Sequence, residues 1–188
     1  AMSANTTGNF NSAFGNSSLN ANTTGVRNSA FGNTSLNANT TANDNAAFGY
    51  NALLSNTTGN SNSAFGSYSL QTNNADGNSA FGYSALTNNT LGSENSAFGY
   101  TALQNNTTGN SNSAYGYRAL VSNTTGNFNV AFGLEALQSN TTATANVAFG
   151  TRSLFSNSTQ RLITRKINAI GNPEVSVTVF VDRKSTRL

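Results

Sequence analysis

Six carboxylates, six tyrosines and a recurring Asn-Thr-Thr are the groups in this 188-residue chain with chemistry to offer. The sequence holds no His, no Cys and no Trp, so imidazole and thiolate cannot serve as base, nucleophile or metal ligand. Among the acids, Asp44 and Glu94 stand at the same offset from a repeated aromatic residue, three repeats apart, or about 14 Å if each repeat advances by one strand spacing. Asp76 falls near that column one repeat before Glu94, where two carboxylates would approach to about 5–6 Å, a glycosidase-like separation. The favoured expectation is two solvated acids on a loop, with a weak cation site or a glycosidase as the alternatives. No catalytic residue, metal or cofactor is assigned, and the chain is not read as an enzyme.

The tyrosines form a second candidate. Tyr50, Tyr83, Tyr100 and Tyr117 each stand two residues after the repeated ring, with Tyr68 one position further on in its repeat. Such a stripe would pack between chains or stack on sugar rings. The third candidate is the threonine pair after each asparagine, as at Thr57-Thr58 and Thr107-Thr108. Regular threonines on a flat face suggest ice binding. Adjacent residues of a strand point to opposite sides, so a pair supplies at most one threonine column per face.

What must position these groups is a repeat. Asn-x-Ala-(Phe/Tyr)-Gly occurs nine times, with rings at Phe14, Phe31, Phe48, Phe65, Phe81, Phe98, Tyr115, Phe132 and Phe149. Every step is 17 residues except the 16 from Phe65 to Phe81. Five residues after each ring stands a leucine: Leu19, Leu36, Leu53, Leu70, Leu86, Leu103, Leu120, Leu137 and Leu154. So short a period predicts an all-β solenoid, about 17 residues per coil, with rings and leucines as core columns. Glycine after every ring argues against helix and suits a bend or a close backbone approach. Seventeen residues allow two short strands and two turns, the second turn at glycines such as Gly59 and Gly109.

Two asparagine columns are unbroken, one three residues before each ring and one running from Asn5 through Asn106 to Asn157. Stacked asparagines bond their own turns and the copies above and below, so they are expected to hold the turns. The Asn-x-Thr sequons that result are by-products of the repeat. One ring and one leucine are little apolar area for seventeen ordered residues, which suggests burial against further copies. Small residues before each leucine (Ala52, Ser69, Ala85, Ala102, Ala119, Ala136) would let strands or chains approach closely.

The stretch Asn95-Ser96-Ala97-Phe98-Gly99-Tyr100-Thr101-Ala102-Leu103 resembles the NTAxGYxAL-type repeats of phage, prophage and giant-virus fibre proteins. It is also similar to the NSxAIG repeats of YadA-like heads in trimeric autotransporter adhesins, which are usually shorter. The resemblance covers roughly residues 4 to 159. It implies a homotrimer of left-handed β-rolls on a virion or bacterial cell surface, an extracellular attachment segment. Its partners would be its own copies and a host-cell or matrix receptor, glycans included. The runner-up is a single-chain ice- or carbohydrate-binding β-solenoid.

The division expected is a repeat solenoid over 1–159, in nine to ten coils, then a neck or C-terminal cap over 160–181. Residues 182–188 read as the in-frame translation of a sequencing adapter, a non-native tail of metagenomic origin. Residues 1–160 carry three basic and four acidic groups and residues 161–188 six and two, so the +3 net charge belongs to the end and not to the repeats. Nucleic acid is therefore not an expected partner. No apolar run reaches the length of a membrane span, and no membrane insertion by this segment is expected.

Overall fold

Each repeat contributes one three-residue strand, its Ser/Ala/Val-Ala-Phe/Tyr segment. In this computed structural model, which describes residues 1–156, 162–163 and 180–181, the strands are β1 (Ser12–Phe14), β2 (Ser29–Phe31), β3 (Ala46–Phe48), β4 (Ser63–Phe65), β5 (Ser79–Phe81), β6 (Ser96–Phe98), β7 (Ser113–Tyr115), β8 (Val130–Phe132) and β9 (Val147–Phe149). They stack in parallel and in chain order, every ring opposite the next ring. The result is a parallel β-solenoid of about eight coils, with no helix among the described residues. The pairing Ser63↔Ser79 absorbs the 16-residue step without loss of register.

Among the described residues no coil forms the second strand that its length allows. After each ring the chain passes through glycine at positive φ, as at Gly99 (φ 143°). It then takes up the left-handed region at Thr101 (φ 51°) and again at Leu103 (φ 53°). Alternating left-handed residues bend the chain, so the second flank cannot run extended. Its backbone still bonds along the axis: Leu103 N–H donates to Ala119 O at 2.9 Å and Thr107 N–H to Thr124 O at 2.9 Å. Backbone polar groups are thus satisfied largely between coils, with short turns such as Asn106 N–H to Leu103 O at 3.2 Å closing the bends within each coil.

Glycine after the ring is required by space. A Cβ on Gly99 would lie 2.4 Å from the carbonyl oxygen of Gly116 in the next coil, and the same holds at 2.4–2.6 Å from Gly15 to Gly133. The close approach expected of this glycine is therefore present.

The core differs from the sequence expectation. The repeated leucines of the column from Leu19 to Leu137 are fully buried, as expected, with Leu154 partly buried against them, but the rings are not core. Ser96 and Phe98 face out while Ala97 between them faces in, because a strand alternates its sides. The inward residues of the coil are Ala97, Ala102, Leu103, Asn95 and Asn106, each fully buried. The small residue before each leucine, such as Ala52, Ala85 or Ser69, fills this interior and lies on no outer face.

The two asparagine columns run through the coil interior, as expected. Asn106 Nδ2 donates to Gly109 O in its own turn at 2.9 Å and to Asn89 Oδ1 in the coil before at 2.7 Å. Asn95 Nδ2 reaches the same Gly109 carbonyl at 2.8 Å, and its Oδ1 accepts the Asn112 backbone N–H at 3.0 Å. These are stacked amides that close each turn on itself and on its neighbour. Asn157 lies outside the described residues.

At the far end β10 (Leu162–Ile163) pairs in parallel with β9 through Ile163↔Val147, and β11 (Phe180–Val181) pairs antiparallel with β10. The rest of the expected cap, and the tail 182–188, lie outside the described residues.

Candidate binding surface

The outward turn of the rings creates a ladder. Phe48, Phe65, Phe81, Phe98 and Tyr115 stack with centroids 4.7–4.8 Å apart and planes within 5–6°. The stack loosens at its ends, to 6.5 Å between Phe14 and Phe31 and 5.9 Å between Phe132 and Phe149. The spacing is that of the strands beneath. The central rings are half-buried, and Phe31 and Phe132 keep 39% and 52% of their surface exposed. Nine rings in an unbroken outer row are more contiguous apolar surface than scattered exposed residues present.

The tyrosine stripe is real and lies on the surface. Tyr50, Tyr83, Tyr100 and Tyr117 are between 45% and 50% exposed. Tyr83, Tyr100 and Tyr117 stack nearly parallel, at 5.3 Å and 12° and then 5.4 Å and 10°. Tyr68, one residue further along and left-handed at φ 62°, meets Tyr50 and Tyr83 edge-on at 85° and 77°. Because the parallel rings cover each other's faces, they offer a partner their edges and hydroxyls. Stacking of a sugar on those ring faces, considered from the sequence, is thereby blocked for Tyr100.

The acids do not make a pair. Asp76 belongs to the position five residues before the ring, and its Oδ1 accepts the Asn60 backbone N–H at 2.6 Å on one side of its coil. Glu94 Oε2 accepts from Ser111 Oγ at 3.1 Å on the other side. The carboxylates thus diverge along the axis, although Glu94 N–H donates to Asp76 O at 3.2 Å. The 16-residue coil explains the misplacement: Gly77, and not Asp76, occupies the left-handed column shared by Asp44 and Glu94. Asp76 does the work of Asn110 and Asn127, whose Oδ1 atoms accept the backbone N–H of the preceding coil at 2.8 and 2.7 Å. This third side-chain ladder escaped the sequence reading, although Asn43, Asn60, Asn110 and Asn127 mark it in the repeat.

Asp44 instead meets Arg27 of the preceding coil, with Nε–Oδ1 2.5 Å and Nη2–Oδ2 2.8 Å. The guanidinium's hydrogen bonds hold the Asp44 carboxyl below the usual carboxylate range, and Arg27 is raised by the same contact. Glu135 and Arg152 approach at 3.4 Å. Among the described residues no three His, Cys, Asp or Glu side chains gather to hold a metal ion, and no helix is long and apolar enough to cross a membrane.

The threonine pairs split their duties. The first hydroxyl is spent on the next coil, as Thr107 Oγ1 donates to Thr124 O at 3.0 Å. The second, at Thr24, Thr41, Thr58, Thr108, Thr125 and Thr142, is exposed and forms one column, broken by Asn74-Ala75 and Leu91. The asparagines of the internal sequons, such as Asn56 and Asn106, are fully buried with their Nδ2 atoms bonded, which closes them to glycosylation in the folded coil.

Compared with known proteins, the chain matches no family model, no curated protein and no solved structure.

Proposed function

We propose that this chain is a structural and adhesive segment of a homotrimeric surface fibre, a viral tail fibre or a bacterial adhesin head, built from left-handed β-rolls. The observation that carries this reading is the unbroken ring ladder on the outside of a coil whose interior is built mainly of Ala, Leu and Asn. Every ring of the row keeps part of its surface in water, most at the ends of the stack, which makes an apolar strip of the kind that a stable interface covers. Three rolls that turn this face toward a common axis would cover it along its length. The remaining surface carries exposed tyrosine edges, threonines and few charges, and would meet the host-cell or matrix receptor outside the cell. The laddered backbone and amides support a mechanical role and not a catalytic one. Native mass spectrometry of the intact chain is the test: a particle of three 19.5 kDa chains is expected, and a stable monomer overturns the reading.

The single exposed threonine column favours one second reading, a single-chain solenoid that binds ice or carbohydrate. A monomer with measurable thermal hysteresis or glycan retention would support it.

A further inference from the structure

The tyrosine stripe places oxidisable side chains together where the rest of the repeat array holds almost none. Residues 1–156 contain no Cys, Trp or His, and their only methionine is Met2. Five of the six tyrosines are nonetheless gathered in one surface column from Tyr50 to Tyr117, each ring within 5.6 Å of the next. The sixth, Tyr115, stands apart in the ring ladder between Phe98 and Phe132. Within the column, Tyr83, Tyr100 and Tyr117 are the nearly parallel members, so a small slip of the rings brings the ortho carbons of successive phenols together.

We propose that Tyr83, Tyr100 and Tyr117 form an oxidative cross-linking site, at which peroxide and a haem peroxidase join successive coils of one chain through dityrosine bonds. Each phenol gives up one electron and its hydroxyl proton, leaving a phenoxyl radical. Hydrogen peroxide accepts the two electrons and two protons and becomes two waters. The two radicals share their unpaired electrons in a new bond between ortho carbons. Each ring then moves its ortho hydrogen, as a proton, back to its oxygen and regains the phenol. Two tyrosines and one peroxide thus yield one dityrosine and two waters. Tyr100 has two ortho carbons and a neighbour on either side, so it can join to both. Such bonds run along the axis, parallel to the coil-to-coil hydrogen bonds, and lock coils that otherwise separate when those bonds break.

The test uses the intact chain, hydrogen peroxide and a haem peroxidase, followed by dityrosine fluorescence, a denaturing gel and mass spectrometry of linked peptides. Tyr83–Tyr100 and Tyr100–Tyr117 links are expected, in a product that keeps monomer mobility on the denaturing gel. Tyr100→Phe keeps a ring in the stack and removes both parallel phenol pairs, so it should lose most of the fluorescence with an unchanged unfolding midpoint. Tyr115→Phe should leave the fluorescence as it is. The proposal is overturned by absent dityrosine, by links that join Tyr100 of one chain to another chain, by Tyr115 as a main partner, or by undiminished fluorescence in Tyr100→Phe.

Discussion

Leu103 and Phe98 are both large and apolar, yet only the leucine is sealed inside the coil. Leu103→Ala should therefore cost about 2–5 kcal/mol, the range for a buried leucine that leaves a cavity. Phe98→Ala should cost the isolated roll only about 1–2 kcal/mol, since the ring lies on the outer side of the coil, partly in water, and its loss leaves no enclosed cavity. Urea unfolding of the two variants side by side checks the order; equal losses would place the ring back in the core. Asp44 makes a separate prediction, in pH. Its folded pKa lies below the unfolded value, so its contribution is present above the ordinary aspartate range and fades as pH falls through the folded value. The pair is exposed and the effect small. Thermal midpoints of wild type and Asp44→Asn should differ slightly at neutral pH and converge in acid. A gap that widens in acid would contradict the assigned shift.

The coil as an element depends on conformations that most residues avoid. Gly99→Ala would put a Cβ 2.4 Å from the Gly116 carbonyl, at φ 143°, and only a wider coil spacing could relieve it. A loss above about 4 kcal/mol or failure to fold is expected, because backbone and not a flexible side chain stands in the way. A folded Gly99→Ala protein with a near-native midpoint would refute the packing described. Glu94 is the opposite case: it is exposed and left-handed at φ 59°, and asparagine tolerates that region better. Glu94→Asn should raise stability by up to about 1 kcal/mol in a calorimetric scan. A clear loss would mean that the Glu94–Ser111 contact outweighs the strain. The period, the parallel stack, the buried leucines, the asparagine ladders and the close-approach glycine were all legible from spacing. Two features were not. Ring burial was inferred from the constancy of the column, although alanine beside all nine rings marks that residue, and not the ring, as the side chain that fits inside. The left-handed residues at Thr101 and Leu103 have no sequence signature, since neither type favours that region, and they replaced the second strand.

At the scale of the whole molecule the rod has a continuous apolar side, and the manner of its covering decides what the chain does. The inner column from Ala52 to Ala136 is enclosed, so close chain approach cannot occur there. The outer ring ladder is then the seam on which assembly would rest. Phe81→Ser with Phe98→Ser removes two adjacent rings from the best-stacked stretch while Ala80, Ala97 and the leucines keep the coil filled. In an isolated roll this pair should lower the midpoint modestly and leave the sedimentation coefficient alone. In a trimer it should shift the particle toward monomer at micromolar concentration and make the melting temperature depend on protein concentration, because folding is then linked to association. A double change on the threonine column, Thr108→Ser with Thr125→Ser, should do neither. Sedimentation of the three proteins therefore separates two failures: a monomeric wild type removes the fibre reading, whereas a trimer that survives the loss of both rings keeps the fibre and moves its seam to another face.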